Sequence, residues 1–393
     1  MTNDSKKIFL TLIPIILLGP IAMDIFLPVL PMIKNYFQIS VIETQWTLSI
    51  FVAGFGVCQI LVGFLSDKYG VQNTLLTSVI IFITASIICA SSSNLPFFLI
   101  GRLMQALSSC CCMVLSFALA RNISLRDIES VQAFSILSSC TGLAPIIAPL
   151  IGGLIVQYYG SWKYTFYFQA LLATIGAGLF VRNMGSISHI LKLSNQSCSR
   201  NFKSYGLVLK DFSFWHYAFF GSAGMIMLFT FFSVVPYIML EEFHLSEKRF
   251  PTIFSIYSAG FICGNIITTI LIKKINLDII LTLSYLAISF LSSIMIIFTN
   301  YISSLQIFTI FMFSINFFIG MSFGGSMSGA MKNFERNSAT AASVYGAQQF
   351  MMAFCVTTLL VTYNFNTQYS LSIIILITSI SVQCASFFIK KSY

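Results

Sequence analysis

Long apolar runs, separated by short polar stretches, constrain this chain more than any other feature. About 20 apolar residues cross the hydrocarbon core of a membrane as a helix. Only 8% of the residues are charged, against about 25% in soluble domains. The sequence therefore predicts an all-α integral membrane protein with twelve transmembrane helices. We name these span 1 to span 12, predicted over residues 8–33, 44–66, 74–92, 96–120, 131–157, 162–182, 213–240, 251–273, 277–299, 304–328, 338–362 and 369–389.

The basic residues predict the orientation of the spans. If the N-terminus is cytoplasmic, sixteen of the 21 basic residues fall in inner segments and four in outer segments. Lys and Arg collect in cytoplasmic loops of membrane proteins, so both termini are expected to face the cytoplasm. The net charge of +9 then reflects membrane topology and gives no indication of a nucleic-acid partner.

The longest polar interval predicts the domain organisation. Residues 183–212 are rich in Ser, Lys and Arg and are expected to form a basic cytoplasmic linker. This linker would separate an N-terminal six-helix bundle, 1–182, from a C-terminal six-helix bundle, 213–393. Two halves of six spans are typical of transporters built from parallel repeats.

Only one acidic and one basic residue fall within the predicted spans. They are Asp24 in span 1 and Arg102 in span 4. Ionisable residues inside a membrane are costly and are functional by default. At a rise of 1.5 Å per residue, their depths below the outer surface are about 14 Å and about 9 Å. We therefore expect Arg102 to lie beside Asp24 and set its charge, with Gln105 or water loosening the pair. The alternative is a static ion pair that joins spans 1 and 4.

Residues that break or thin helices are concentrated in spans 1 and 5. Proline removes a backbone donor and kinks a helix, while glycine allows helices to approach closely. Both properties suit a helix in a moving bundle. The residues are Pro14, Pro20, Pro28 and Pro31 in span 1, and Pro145, Pro149, Gly152 and Gly153 in span 5.

The sequence lacks the patterns of an enzyme or an ATP-driven pump. Neither a nucleotide-binding P-loop nor a credible Ser-His-Asp set is present, and no histidine lies near the centre of a span. The ten cysteines lack metal-site spacing and are expected to be small apolar residues within helices. We therefore expect no enzyme activity, cofactor or metal, and an ion gradient as the source of energy.

The loop between spans 2 and 3 reads GFLSDKYG, from Gly63 to Gly70. Its glycines permit a tight turn at the cytoplasmic surface. Asp67 is a candidate to cap the start of span 3 or to pair with a basic helix end, and Lys68 follows it.

Four stretches together resemble the major facilitator superfamily, in particular its twelve-span drug:proton antiporters of the bicyclomycin/chloramphenicol-resistance type. GFLSDKYG resembles the cytoplasmic loop signature, GRLMQAL the span 4 signature, APIIAPLIGG the span 5 antiporter signature, and MDIFLPVLP the span 1 element of that branch. Three departures are present. Val71–Asn73 replace the basic residues that usually follow the loop, Ala106 replaces a glycine, and Ile16 stands where some relatives have a second acid. A single carboxylate indicates coupling to one proton.

The resemblance implies a fold and a mechanism. Two six-helix bundles would rock about a central site, with Asp24 as the proton carrier and Arg102 and Gln105 as its partners. The protein would be a monomer in the bacterial cytoplasmic membrane, with a small molecule, protons and the lipid bilayer as its partners and the proton gradient as its driving force. Candidate residues of the substrate cavity are Phe26, Met225, Met227, Phe232, Asn316, Gln348 and Gln349.

The leading hypothesis is a proton-coupled efflux antiporter for small amphipathic compounds. A dedicated carrier for a siderophore, amino acid or other metabolite is the alternative, since one fold serves many substrates. A membrane sensor or enzyme is the alternative from a different class. A sensor would require a signalling module, yet the longest loop has only about 28 residues.

Overall fold

The chain is a series of long helices in a computed structural model that describes residues 3–123, 127–185, 202–245, 249–298, 304–334, 338–362 and 367–391. No β-strand occurs in these ranges, and the prediction of an all-α membrane fold is confirmed. Span 1 consists of several pieces, and the short helix Phe202–Leu209 precedes span 7. The other spans are Val41–Tyr69, Val71–Ser91, Leu95–Ile123, Asp127–Tyr159, Lys163–Arg182, Phe212–Tyr237, Phe250–Leu271, Leu277–Phe298, Leu305–Met331, Ser338–Thr362 and Gln368–Lys391.

Most of the predicted spans have the length and hydropathy needed to cross a membrane. Over the described ranges, eleven helices meet both requirements, and span 11 is a helix of 25 residues that is not among them. Large aliphatic and aromatic side chains such as Ile80, Phe97 and Leu171 remain exposed on the helix surfaces. Exposed apolar surface of this extent is what a lipid-facing helix requires.

Span 1 is broken into four pieces. These are Asn3–Ile16, Leu18–Asp24, a 3₁₀ turn at Leu27–Val29 and Leu30–Phe37. The proline pattern explains the second break, because a carbonyl in a helix accepts from the N–H four residues later. Pro28 and Pro31 have no N–H, so the carbonyls of Asp24 and Leu27 lack that donor. The helix therefore stops at Asp24.

The ends of spans 2 and 3 follow local rules for helix termini. Ser40 begins span 2 with a capping box, in which its hydroxyl accepts from the Glu43 N–H and its own N–H donates to the Glu43 carboxylate. Gly70 ends span 2 and begins span 3 with a φ of +82°, a conformation that glycine adopts without strain. Gly70 therefore occupies the N-cap position that was expected for Asp67, whose side chain lies outside the described residues.

The chain divides into two compact units, Met1–Arg200 and Asn201–Tyr393. The division falls within the predicted linker 183–212, of which residues 186–201 lie outside the described part of the chain. We call these unit 1 and unit 2. In unit 1 the pieces of span 1 pack on spans 4, 5 and 6, and span 4 packs on spans 2 and 3. In unit 2 span 7 packs on spans 10, 11 and 12, and span 8 packs on span 10.

Candidate functional site

The break in span 1 lies at a buried carboxyl group. Asp24 is the last residue of the piece Leu18–Asp24, and only 3% of its surface is exposed. The described residues provide no hydrogen bond or ion pair to its carboxyl group. Interrupted helices in membrane transporters often form the substrate and ion sites, which makes the Asp24 break the centre of the candidate site.

Arg102 of span 4 contacts the same break from one side. Its side chain is fully buried. Nη1 donates to the carbonyl of Ala22 at 3.1 Å, and Nε donates to the carbonyl of Thr47 in span 2 at 3.4 Å. The guanidinium carbon lies 4.4 Å from the ring centres of both Phe26 and Phe51. Cation–π contacts of this kind are strongest where water is excluded, so carbonyls and rings replace water around the charge.

Gln105 extends this arrangement into a hydrogen-bond network across the unit. Its Oε1 accepts from Arg102 Nη1 at 3.1 Å. Its Nε2 donates to Ser86 Oγ of span 3 at 2.8 Å and to Gln169 Oε1 of span 6 at 3.0 Å. Arg102, Gln105, Ser86 and Gln169 are all fully buried. We call these four residues the arginine network. It connects spans 3, 4 and 6 to the break in span 1.

The expected contact between Arg102 and Asp24 is not formed. The hydrogen bonds of Arg102 go to Ala22, Thr47 and Gln105, and no ion pair within 4 Å joins its guanidinium to Asp24. The depth estimate ignored the direction of the side chains around span 1. Residues 22 and 26 share a helix face, whereas residue 24 is rotated by about 200° from both in an ideal helix. Arg102 therefore holds the backbone of the break and does not pair with the carboxylate.

Span 5 contacts the break directly at Gly152. A Cβ atom at this position would collide with the carbonyl oxygen of Ile25 and would lie 3.2 Å from Pro28 Cγ. Both partners of this close contact, Ile25 and Pro28, belong to span 1 of the same unit. The absence of a side chain lets span 5 approach the carbonyl groups freed by the break. Pro145 and Pro149 lie inside the continuous helix Asp127–Tyr159, as does Gly153.

Phe26 belongs to an aromatic cluster rather than to an open cavity wall. It is fully buried, and its ring centre lies 6.1 Å from that of Phe98 and 6.0 Å from that of Phe166. Phe98 and Phe166 also contact Trp162. This packing makes Phe26 a neighbour of Arg102, and its role as a substrate contact stays a prediction.

Unit 2 contains a second buried polar cluster, which is uncharged. The Tyr285 hydroxyl of span 9 donates to the carbonyl of Phe220 in span 7. The hydroxyls of Tyr345 in span 11 and Ser326 in span 10 are hydrogen-bonded at 2.8 Å. A Cβ atom at Gly221 would collide with the Tyr345 hydroxyl, so this glycine makes room for the phenol. We call Tyr285, Tyr345 and Ser326 the tyrosine cluster.

The candidate cavity residues of unit 2 fall into two groups. Met225, Met227, Phe232 and Asn316 are buried, and the Asn316 amide donates to the carbonyl of Met312 in its own helix. The two glutamines differ, since neither polar atom of Gln348, nor Nε2 of Gln349, has a hydrogen-bond partner among the described residues. Buried polar groups are normally paired. Because these amide groups have no such partner among the described residues, they can still form hydrogen bonds.

Several residues of these clusters were not predicted. Gln169 and Ser86 in the arginine network and the tyrosine cluster in unit 2 were all missed. Gln169 carries the clearest signal that was available, since it is a lone amide in the apolar run FYFQALLA. Such amides join helices inside membranes. The prediction of a loop from Gly63 to Gly70 is wrong, because span 2 continues to Tyr69 and ends only at Gly70. Gly63, Asp67 and Lys68 therefore lie in its last two turns.

The described helices are apolar, and the first of them is broken beside a buried carboxyl group and a buried guanidinium. This combination is typical of a membrane transporter. Residues 12–358 match the family model described as Major Facilitator Superfamily. The chain therefore belongs to the major facilitator superfamily and is a multi-pass membrane transporter rather than an enzyme.

Three similar proteins illustrate its relationships within that family. An uncharacterised transporter of Rickettsia bellii is 26% identical over 390 residues, which cover 96% of this chain and 95% of the relative. A chloramphenicol resistance protein of Pseudomonas aeruginosa is 30% identical over 63% of this chain and 57% of its own length. The multidrug resistance protein MdtL of Citrobacter koseri is 24% identical over 85% of this chain and 83% of its own length.

The fold is also that of a solved transporter. The structure described as a partially occluded inward open conformation of the xylose transporter XylE from E. coli matches with a TM-score of 0.74. The match covers 99% of this chain and 98% of the other at 14% sequence identity. At that identity the match shows the fold and leaves the substrate open.

Proposed function

We propose that this transporter is a proton-coupled antiporter that exports small amphipathic compounds from the bacterial cytoplasm. The observation that carries the proposal is the carboxyl group of Asp24, buried at the break in span 1 without a described counter-charge. Burial favours the neutral, protonated form of a carboxyl group, whereas access to water favours the charged form. A group whose charge depends on water access is suited to exchange a proton as its surroundings change.

The proposed cycle uses Asp24 as the single proton carrier. A proton from the outside neutralises the carboxylate, and release of that proton to the cytoplasm restores the negative charge. A cationic substrate would then compete with the proton for the same carboxylate, while a neutral substrate would couple through the change of conformation alone. Arg102 serves this cycle by holding the Ala22 carbonyl, which keeps the break in span 1 in place.

Two further observations support the substrate class and the orientation in the membrane. The names of the Pseudomonas and Citrobacter relatives refer to chloramphenicol and multidrug resistance, which favours drug-like compounds as cargo. The distribution of basic residues favours a cytoplasmic location for both termini, in the cytoplasmic membrane of a bacterium. We propose that the monomer is the working unit and that the proton gradient, without a cofactor, drives it.

A vesicle assay tests the proposal. Inverted membrane vesicles containing the full chain are acidified internally by respiration, and a pH-sensitive dye reports the gradient. Chloramphenicol and lipophilic cations are then added. Release of protons on addition of a compound, absent from vesicles without the transporter, is the expected result. If no compound in a broad panel releases protons, drug export is contradicted and the dedicated carrier for a metabolite is favoured.

A further inference from the structure

A second pair of ionisable side chains lies in unit 2 and plays no part in the cycle above. His216 of span 7 and Asp278 of span 9 approach to 3.5 Å between Nε2 and Oδ1. The hydroxyl of Ser386 in span 12 lies 3.4 Å from His216 Nδ1. The side chains of His216 and Asp278 are 7% and 23% exposed. Three helices therefore meet at one imidazole that is largely shielded from water.

The surroundings of the imidazole hold it in a fixed place. Its ring makes an edge contact with Phe220, one turn further along span 7, at 5.4 Å between ring centres. Phe220 in turn contacts the Tyr285 ring at 5.3 Å, so the pair adjoins the tyrosine cluster. Among the described residues, Tyr217 of span 7 is hydrogen-bonded to Asp278, and Asp278 of span 9 faces the imidazole. The partner from span 12 is the uncharged Ser386.

The position of Asp278 favours a negative charge there. It is the second residue of the helix Leu277–Phe298, and the first turn of a helix stabilises an anion through its free N–H groups and its dipole. A carboxylate 3.5 Å away stabilises a charged imidazolium. Histidine is the side chain whose charge changes between about pH 5 and pH 8. The geometry thus provides a place for one proton near neutral pH.

We propose that His216 and Asp278 form a second proton-binding site of this transporter, separate from Asp24 and located at the ends of spans 7, 9 and 12. Protonation of His216 turns a neutral contact into an ion pair that ties span 7 to span 9. All three helix ends are on the side predicted to be cytoplasmic, so the site responds to cytoplasmic pH. Proton binding at this site is independent of the proposed function, and only an effect of the site on transport rests on that function.

Proton binding can be measured without transport. The chain has three histidines, so the variant His189→Gln/His244→Gln leaves His216 as the single imidazole. Labelled histidine in the purified full-length protein reports its charge by NMR. We expect a titration between pH 5 and pH 8 whose midpoint moves in Asp278→Asn. The matched control is Asp211→Asn, since asparagine also caps helices well and residue 211 caps the same span, and it should leave the midpoint unchanged.

The titration results decide the proposal. A His216 that keeps one charge state from pH 5 to pH 8, or a midpoint that is the same in Asp278→Asn as in the parent, would overturn it. If Asp278→Asn does not fold, Asp278→Glu provides the second variant, because it keeps the charge and changes the distance, and its midpoint should also differ from that of the parent.

A transport assay then tests whether this site acts on transport, and it distinguishes a failure of this proposal from a failure of the proposed function. Downhill export by Asp24→Asn is measured over a range of cytoplasmic pH, with and without His216→Gln. We expect the rate to change by several-fold with pH in Asp24→Asn and to be constant in the double variant. An equal pH dependence in both would show that the second site does not act on transport. Failure of the proton-release assay with an intact His216 titration would instead contradict only the proposed antiport.

Discussion

The two units hold their first helices by different chemistry. In unit 1 the Ala22 carbonyl of span 1 accepts from the guanidinium of Arg102. In unit 2 the Phe220 carbonyl of span 7 accepts from the phenol of Tyr285. Span 1 is broken at the point of contact, whereas span 7 runs as one helix from Phe212 to Tyr237. A charged donor thus accompanies a broken helix, and a neutral donor accompanies a continuous one.

The difference follows from the cost of burying charge. A buried guanidinium requires several hydrogen-bond acceptors to replace water. A continuous helix uses its carbonyls internally, while a broken helix releases some of them. The break in span 1 supplies an acceptor for Arg102, and Arg102 in return satisfies a carbonyl that the break leaves free. Under the proposed function, unit 1 carries the proton chemistry and unit 2 offers neutral hydrogen-bonding groups to the substrate.

Neutralising the carboxyl group of unit 1 should have the largest effect. In Asp24→Asn the side chain keeps its shape but no longer titrates, so we expect uphill transport to be abolished while downhill exchange continues. Substrate accumulation against a gradient in inverted vesicles is the measurement. Glu242→Gln in unit 2 is the control, since Glu242 is an exposed acid bonded to Gln368 and its neutralisation should leave uphill transport intact. Normal accumulation by Asp24→Asn would remove the basis for the proton chemistry of unit 1.

Adding a side chain against the break should have the next largest effect. Gly152→Leu places atoms where the Ile25 carbonyl lies. Overpacking of this kind costs roughly 1–3 kcal/mol, so we expect a large loss of transport rate and a lower melting temperature. Gly142→Leu is a matched control in the same helix, because a Cβ atom there has no neighbour within 4 Å. Equal rates for the two variants would show that the close contact at Gly152 is not needed for transport.

Arg102→Lys keeps the positive charge but removes the planar guanidinium group. This substitution tests whether unit 1 needs the hydrogen bonds of Arg102 or only its charge. Lysine has one compact charged group and cannot reach both carbonyls and Gln105 in the same geometry. We expect Arg102→Lys to lower the melting temperature and the transport rate, while the pH dependence of uphill transport keeps its midpoint. Tyr285→Phe in unit 2, which removes a neutral hydrogen bond worth about 0.5–1.5 kcal/mol, should cost less stability. A shift of the pH midpoint in Arg102→Lys would support direct coupling between Arg102 and Asp24.

Hydropathy and charge predicted the helices and the two ionisable residues of the spans, because membrane insertion acts on the sequence one segment at a time. The prolines of span 1 likewise predicted disruption of that helix. The partners of these residues could not be predicted. Arg102 reaches the carbonyl of Ala22, two residues before Asp24. Contact with the carboxyl group also requires the same side of span 1, which depends on how the helices are rotated in the bundle.

The same limit explains the other differences. Gly152 was correctly recognised as a packing residue, yet its partner Ile25 depends on which helix lies beside span 5. His216 was assigned no function because it lies at the end of span 7, and its partner Asp278 is 62 positions away. Such pairs arise from tertiary packing, which a single sequence does not record. The roles of Asp24, Arg102 and the cavity residues remain predictions that the variants above test.

The smallest effects are expected when one buried glutamine in each unit is replaced by leucine. Gln169→Leu removes one of the two acceptors of the Gln105 amide and leaves the other, Ser86, in place, so it removes one hydrogen bond worth about 0.5–1.5 kcal/mol. Gln348→Leu removes an amide that has no described partner, so it should leave the stability unchanged or slightly increase it. Thermal unfolding of the purified proteins measures the change in stability. The concentration dependence of export measures the change in apparent affinity for the substrate. We expect Gln169→Leu to lower the melting temperature with little change in apparent affinity. Gln348→Leu should instead weaken the apparent affinity for substrates that accept or donate hydrogen bonds, at an unchanged melting temperature. If both variants lose stability equally, Gln348 has a structural partner and the neutral amides of unit 2 are not free for the substrate.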